Sequence, residues 1–109
     1  VGYSQYISGL KELSETLRDK GVKVTIFYIL YTSPAFRDYT EINTRVTMYN
    51  QGIDSLAALG NFDVLDLNEQ LSKNGVLLQQ YAMDDGLHLN ESGYAIWGAE
   101  LNKYLEQHK

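Results

Sequence analysis

The sequence lacks several kinds of residue and pattern, and each shortage excludes a class of chemistry. Cysteine is absent from the 109 residues, so disulfides, thiolate catalysis and cysteine-ligated metals are excluded. The net charge is -5 and no basic run offsets it, which argues against nucleic-acid binding, because that binding depends on attraction to phosphates. No apolar run is long enough for a membrane span. The remaining composition, 44% hydrophobic and 21% charged, is typical of a single globular domain.

Helix and strand patterns alternate along the chain. Apolar residues at three- and four-residue spacing predict helices, and runs rich in β-branched and aromatic residues predict strands. A short helical turn is expected within Asn68–Gly75, and Thr40 and Asn90 are the predicted N-caps of the second and last long helices. The alternation indicates an α/β fold with parallel strands. The predicted main elements are helix Tyr3–Lys20, strand Val22–Tyr31, helix Glu41–Leu59, strand Phe62–Leu67 and helix Glu91–Leu105.

The number of predicted strands is too small for a self-sufficient parallel sheet. Val22–Tyr31 is apolar almost throughout, as expected of a central strand with a neighbour on each side, but the chain encodes only one neighbour, Phe62–Leu67. An open edge of this kind favours pairing with another chain. We therefore expect the strand to be covered by a missing part of the same domain or by a strand-pairing partner chain. The first residue, Val1, is not methionine, which is consistent with a missing N-terminal part.

Only two histidines are available as a general base, and they lie in different contexts. His108 belongs to the polar C-terminal tail and is expected to be exposed. His88 lies in a loop that leads into the last helix, three residues after Asp85. A carboxylate at this spacing can accept the proton on Nδ1 of the imidazole and leave Nε2 free to act as a base. The spacing alone leaves open a turn aspartate beside a half-buried histidine with no chemical role, and Asp84 is the alternative carboxylate.

The segment Asp85–Tyr94, DGLHLNESGY, resembles the last sequence block of the SGNH hydrolases, also called the GDSL-like lipase/acylhydrolase family. The order of elements around it resembles that family over essentially the whole chain. The resemblance implies a flavodoxin-like three-layer αβα sandwich with a parallel sheet, of which this chain would hold two main strands and three helices. It also implies a serine ester hydrolase in which His88 is the catalytic base and Asp85 is the carboxylate that orients it.

The family's other blocks are absent from this sequence. Members carry a Gly-Asp-Ser block that supplies the nucleophile, and further Gly and Gly-x-Asn-Asp blocks that supply oxyanion donors. The resemblance therefore implies that residues 1–109 are the C-terminal portion of a single SGNH hydrolase domain whose nucleophile-bearing N-terminal half is absent. We expect the complete domain to hydrolyse a small-molecule carboxylic ester and this chain alone to be inactive. An inactive fragment, or a flavodoxin-like binding module with a chance Asp-x-x-His, is the alternative.

The serines within the chain are poor substitutes for the missing nucleophile. Ser33 is the best placed, because it follows the first strand at the end of the sheet where active sites of α/β folds gather. Pro34 follows it, however, and proline has no N–H to offer an oxyanion. A loop serine is therefore the preferred interpretation of Ser33. The other candidates are Ser4, Ser8, Ser14, Ser55, Ser72 and Ser92.

The remaining candidates for binding are few. Asp84, Asp85 and His88 are not joined by a second acidic or histidine-rich cluster, so we predict no metal site, and we predict no cofactor because no nucleotide-binding glycine motif is present. Tyr31 and Phe36 flank the loop after the first strand. They are candidates for a substrate-binding wall, since pockets at strand ends favour aromatic side chains.

Overall fold

The computed structural model describes residues 2–108. The main helices and strands follow one another in the predicted order. Residues 2–108 contain four α-helices instead of the predicted three, because the turn expected in Asn68–Gly75 contains a short α-helix. The helices are α1 (Tyr3–Asp19), α2 (Tyr39–Ala57), α3 (Asn68–Leu71) and α4 (Glu91–Gln107); the strands are β1 (Thr25–Phe27), β2 (Asp63–Leu65), β3 (Ser72–Lys73) and β4 (Val76–Leu77); residues Gln79–Tyr81 form a 3₁₀ turn.

Strands β1 and β2 form a small parallel sheet, as the alternation of elements predicts. Thr25 lies opposite Asp63 and Phe27 lies opposite Leu65. The long helix α2 connects the two strands, which is the crossover that parallel neighbours require. Within residues 2–108, β1 pairs with no strand other than β2. The second neighbour that the apolar sequence of β1 predicts is therefore not among the described residues.

Two apolar clusters cover the sheet, and successive residues of β1 contribute to different ones. Ile26 packs with the cluster formed by Ile53, Leu56 and Phe62, to which α1 also contributes. Phe27 packs with the second cluster and meets Trp97 of α4 edge-on, with ring centroids 5.8 Å apart. This alternation is expected, because neighbouring side chains of a strand point to opposite faces. The buried members of the second cluster are Leu67, Leu71, Leu77, Ala82 and Leu89.

The first strand is shorter than the predicted Val22–Tyr31. The Tyr28 N–H still donates to the Leu65 carbonyl of β2 at 3.2 Å, but from Ile29 to Tyr31 the main chain bonds to asparagine side chains. Asn50 takes both backbone groups of Ile29, accepting from its N–H at 2.9 Å and donating to its carbonyl at 3.0 Å. Asn68 also donates to the Ile29 carbonyl, at 2.9 Å, and accepts from the Tyr31 N–H at 3.2 Å. These amides satisfy main-chain groups that a longer strand would have paired with a neighbour.

One long helix, α2, begins at a different residue from the one predicted. The second long helix begins at Tyr39, not Glu41, and Asp38 is its N-cap instead of Thr40. The reason is the turn before it, in which the Tyr39 N–H already bonds to the Phe36 carbonyl at 3.2 Å. The last helix begins as predicted after Asn90, whose side chain accepts a hydrogen bond from the Gly93 N–H at 2.9 Å.

Strands β3 and β4 form a small antiparallel hairpin that the sequence analysis did not predict. Its turn is Asn74-Gly75, with backbone φ angles of 55° and 79°. Two consecutive left-handed residues define the type I′ turn that Asn-Gly strongly favours. The hairpin lies against the segment after β1, because the Leu77 N–H donates to the Thr32 carbonyl at 3.0 Å. No helix of the described residues is long and apolar enough to cross a membrane.

Candidate active site

The Asp85–His88 loop is a closed turn between the 3₁₀ turn and α4. An isolated antiparallel bridge joins Ala82 to Leu89 and closes its base. Inside it, the Met83 N–H donates to the His88 carbonyl at 2.8 Å, and the Gly86 N–H donates to the Met83 carbonyl at 2.9 Å. The loop therefore has a defined backbone conformation that depends mainly on its own hydrogen bonds.

Asp85 and His88 are in direct contact. Asp85 Oδ2 lies 2.5 Å from His88 Nδ1. The other carboxylate oxygen, Oδ1, accepts from the backbone N–H groups of Leu87 at 2.9 Å and His88 at 3.0 Å. The hydrogen bond from His88, followed by those two backbone hydrogen bonds, lowers the pKa of Asp85 to about 2. An ionised carboxylate can only accept, so Nδ1 of His88 carries the proton in this contact.

The pair is open to solvent on its far side. The side chain of His88 is 62% exposed and that of Asp85 is 46% exposed. Nε2 of His88 has no hydrogen-bond partner among residues 2–108. Asp84 is exposed, and no hydrogen bond or ion pair joins it to His88 within residues 2–108. The geometry therefore joins His88 to Asp85, not Asp84, and leaves a nitrogen with a free lone pair, which is what a general base requires.

Gly86 explains why the loop has this conformation. Its φ angle of +73° lies in the left-handed region, which other residues adopt only at a cost. A Cβ atom at this position would lie 2.4 Å from the backbone nitrogen of Phe36 and 2.7 Å from Ser33 Oγ. The glycine therefore serves two purposes: it allows the turn that returns Asp85 to His88, and it lets the loop approach the segment after β1.

The end of the same sequence block fixes α4. The Asn90 side chain caps the helix and also donates to the Gln80 carbonyl at 2.9 Å. Gly93 lies so close to the 3₁₀ turn that a Cβ atom there would be 2.6 Å from the Tyr81 carbonyl oxygen. Asn90 and Gly93 thus hold the start of α4 against the chain that precedes the loop. This gives a physical reason for the pattern Asn-x-x-Gly three residues after Leu87.

Ser33 is fully buried and bonded within the fold. Its Oγ donates to Gln79 Oε1 at 2.7 Å and accepts from the Ala35 N–H at 3.3 Å. The described hydrogen bonds of His88 involve no serine. No serine hydroxyl among residues 2–108 therefore hydrogen-bonds to Nε2 of His88.

The two aromatic candidates for substrate binding lie in different surroundings. The backbone of Phe36 touches Gly86, so this residue is adjacent to the Asp85–His88 loop. The hydroxyl of Tyr31 instead lies 2.8 Å from Thr47 Oγ1 on α2. Tyr31 lines a shallow open cleft together with Tyr28 and Asp54. The burial of Tyr28 and its contact with Asp54 raise the pKa of the Tyr28 hydroxyl to about 12.

Sequence reasoning missed the polar residues that support the site. The buried Asn43 accepts from both the N–H and the hydroxyl of Thr32, at 2.8 and 3.0 Å, and donates to the Thr32 carbonyl at 2.9 Å. Gln79 holds Ser33. One signal was available: Asn43 and Asn50 are seven residues apart and share the apolar face of α2 with Val46 and Ile53. Polar side chains on such a face require partners. Within residues 2–108, no three His, Cys, Asp or Glu side chains group as metal ligands would.

Comparison with known proteins places these features in a family. Residues 2–96 match the family described as GDSL-like Lipase/Acylhydrolase. A GDSL-like lipase from Bacteroides thetaiotaomicron VPI-5482 is similar in structure, with a TM-score of 0.80 and 19% identity over 99% of this chain and 54% of that chain. A structure from Streptococcus pneumonia with a provisional assignment as a platelet activating factor has a TM-score of 0.79 and 23% identity over 96% of this chain and 52% of that chain.

The same comparisons limit which properties of the similar structures can be assigned to this chain. The chain spans about half the length of the two solved structures, and at these identities the likeness establishes an α/β fold of the GDSL-like type. No curated protein sequence matches this chain.

Proposed function

Because this chain belongs to the GDSL-like lipase/acylhydrolase family, we propose that it supplies the histidine and aspartate of a serine ester hydrolase. His88 is the general base and Asp85 is the carboxylate that orients it. The observation that carries this assignment is the 2.5 Å contact between Asp85 Oδ2 and His88 Nδ1. Membership of a hydrolase family supports the reaction class.

The chemistry follows from the two nitrogens of His88. With Nδ1 protonated and bonded to Asp85, the lone pair of Nε2 accepts the proton of a serine hydroxyl as its oxygen attacks the ester carbonyl. The imidazolium that forms is stabilised by the Asp85 carboxylate and then returns the proton to the leaving alcohol. Water hydrolyses the acyl-serine by the same two proton transfers in reverse. Asp85 stays ionised throughout, in accord with its lowered pKa of about 2.

The serine in this account lies outside the 109 residues. We propose that residues 1–109 are the C-terminal portion of one hydrolase domain and that a preceding segment carries the nucleophile and the oxyanion donors. Three observations support this: the chain covers about half of its structural neighbours, its sequence has no Gly-Asp-Ser, and β1 has a described neighbour on one side only. We call the chain together with that segment the complete protein.

The complete protein would be a flavodoxin-like three-layer sandwich. Helices α1 and α2 would cover one face of the parallel sheet and α4 the other, as the packing of Ile26 and Phe27 into different clusters suggests. A strand of the preceding segment would pair with the free edge of β1. The missing segment is thus both the proposed partner of this chain and the source of its nucleophile.

The proposed substrate is a small-molecule carboxylic ester. Phe36 is the better candidate for a wall of the substrate site, since its backbone contacts the loop that carries His88. Tyr31, which lies earlier in the same segment, remains a second candidate. We propose that the acyl group of this ester is small.

An ester assay tests the proposal. The complete protein should hydrolyse p-nitrophenyl acetate, whereas the 109-residue chain alone should not. His88→Ala should abolish the activity of the complete protein, and the matched control His108→Ala, at an exposed site on α4's C-terminal end, should preserve it. Activity of the isolated chain would refute the assignment of the nucleophile to another segment. A complete protein with no hydrolase activity would favour a binding module.

A further inference from the structure

Ser33 is a fully buried hydroxyl that the proposed reaction does not use. It directly follows Thr32, whose backbone and side chain are fixed by three hydrogen bonds to Asn43. The Thr32 carbonyl also accepts from the Leu77 N–H at 3.0 Å. Ser33 is therefore held from α2 on one side and from the β3–β4 hairpin on the other, and it has little freedom to move.

This fixed residue is in contact with the centre of the Asp85–His88 loop. The Ser33 N–H donates to the Gly86 carbonyl at 2.8 Å. Gly86 leaves no space between the two segments, since a Cβ atom on it would lie 2.7 Å from Ser33 Oγ. The loop's own hydrogen bonds fix its shape, whereas this contact fixes its position relative to the sheet.

Gln79 adds a second connection through the Ser33 side chain. Its Oε1 accepts from Ser33 Oγ at 2.7 Å, and its Nε2 donates weakly to the Met83 carbonyl at 3.4 Å. Met83 in turn bonds to the carbonyl of His88. The side chain of Gln79 therefore bridges Ser33 to the residue that closes the turn around His88.

We propose that Ser33 and Gln79 are positioning residues that set the orientation of the His88 imidazole relative to the attacking serine. The inference rests on the proposed function, because it concerns the same histidine. Ser33 is not a nucleophile in this account; its N–H holds the Asp85–His88 loop directly, and its hydroxyl holds that loop through Gln79. A small displacement of that loop would move Nε2, and catalysis is sensitive to displacements of about 1 Å.

Two variants of the complete protein test the proposal. Ser33→Ala removes the hydroxyl, and Gln79→Ala removes its partner at an exposed position, where folding should tolerate the change. The matched control is Ser14→Ala, because Ser14 is equally buried and bonds only to the Lys11 carbonyl of its own helix α1. Both kcat and KM for p-nitrophenyl acetate are measured, together with the nuclear Overhauser effect between Gly86 Hα and the Phe36 amide proton, which reports how closely the loop lies against the segment after β1.

We expect kcat to fall about tenfold in Ser33→Ala and severalfold in Gln79→Ala, with KM nearly constant, as for loss of one orienting hydrogen bond. The Gly86–Phe36 nuclear Overhauser effect should weaken in the two variants, whereas Nδ1 of His88 should stay bonded to Asp85, because that contact lies within the loop. Ser14→Ala should change neither quantity. Equal kcat and an unchanged Gly86–Phe36 effect in Ser33→Ala and Ser14→Ala would overturn the proposal; if Ser33→Ala does not fold, the same result for Gln79→Ala overturns it.

The Gly86–Phe36 effect separates this inference from the proposed function. If the complete protein hydrolyses no ester, the proposed function fails, yet a weaker effect in Ser33→Ala and Gln79→Ala still supports their positioning role. If hydrolysis is present but depends on neither residue, the positioning role fails and the assignment of His88 stands.

Discussion

The Asp85–His88 loop and the β1–β2 sheet satisfy their polar groups in different ways. The loop bonds to itself and to Ser33, so its conformation is complete within this chain. In the sheet, Ile26 and Tyr28 face β2, and the alternate residues Thr25 and Phe27 therefore direct their backbone groups to the opposite edge. Within residues 2–108 no strand lies there. The Asp85–His88 contact can thus be formed by a short contiguous segment, whereas one edge of the sheet has no neighbour among the described residues.

The largest effect is expected from a substitution that alters the chemistry of the Asp85–His88 contact without changing the shape of the loop. Asp85→Asn in the complete protein should lower kcat by about 10⁴-fold, because an amide can hydrogen bond His88 in the wrong tautomer and cannot balance the imidazolium. Asp84→Asn is the matched control and should leave kcat nearly unchanged. The measurement is steady-state hydrolysis of p-nitrophenyl acetate, and equal losses in the two variants would argue against Asp85 as the orienting carboxylate.

The next largest effect is expected from a substitution that disrupts the backbone conformation of the loop. Gly86→Ala should destabilise the fold by about 3 kcal/mol, because it adds left-handed strain to a clash with the backbone of Phe36. Gly60→Ala also has a positive φ, of +82°, but its Cβ would meet open space, so the loss should be about 1 kcal/mol. Urea unfolding of both variants measures the difference. Similar losses would show that the close approach to Phe36 contributes little.

A third measurement examines the open edge of the sheet. In the 109-residue chain, the amide protons of Thr25 and Phe27 should exchange with solvent at least about tenfold faster than those of Ile26 and Tyr28, which bond to β2. In the complete protein all four should be protected, because a neighbouring strand pairs with the edge. Hydrogen exchange followed by NMR gives each rate, and continued rapid exchange of Thr25 and Phe27 in the complete protein would contradict strand pairing there.

The smallest effect concerns acid stability. The pKa of Asp85 falls from 3.8 to about 2 in the folded protein, so the contact with His88 stabilises the fold above about pH 3.8. That contribution should decline as the pH falls through this window and vanish below about pH 2. The Tm of the unaltered protein should therefore exceed that of Asp85→Asn near neutral pH and approach it at pH 2. The difference should be small, because both side chains are largely exposed.

The parts of the fold that local sequence determines were predictable. The three long helices and two parallel strands follow from apolar spacing, and the cap at Asn90 follows from its side chain. The Asn74-Gly75 hairpin was missed although this dipeptide is a strong turn signal. The end of β1 could not be predicted in the same way, because Asn50 and Asn68 reach Ile29 from positions distant in sequence.

The same distinction between local and distant residues applies to the candidate site. The spacing of Asp85 and His88 predicts a contact that one tight turn can form, and the structure has that contact. The role of the pair is still a prediction. Gln79 carries no local signal of its role, and the helical spacing of Asn43 indicates only that its side chain needs a partner, not that Thr32 is that partner, since each acts on a loop that other parts of the chain bring to it. Local patterns therefore predicted the carboxylate–histidine contact but not the residues that hold it in place.

The most direct test of the central claim is the location of the reactive serine. The complete protein and its His88→Ala variant are treated with a fluorophosphonate, which phosphonylates activated serines, and the labelled peptide is identified by mass spectrometry. We predict one labelled serine outside residues 1–109 and no labelling in His88→Ala. A label on Ser33 or on another serine of these 109 residues, or labelling that persists without His88, would contradict the account.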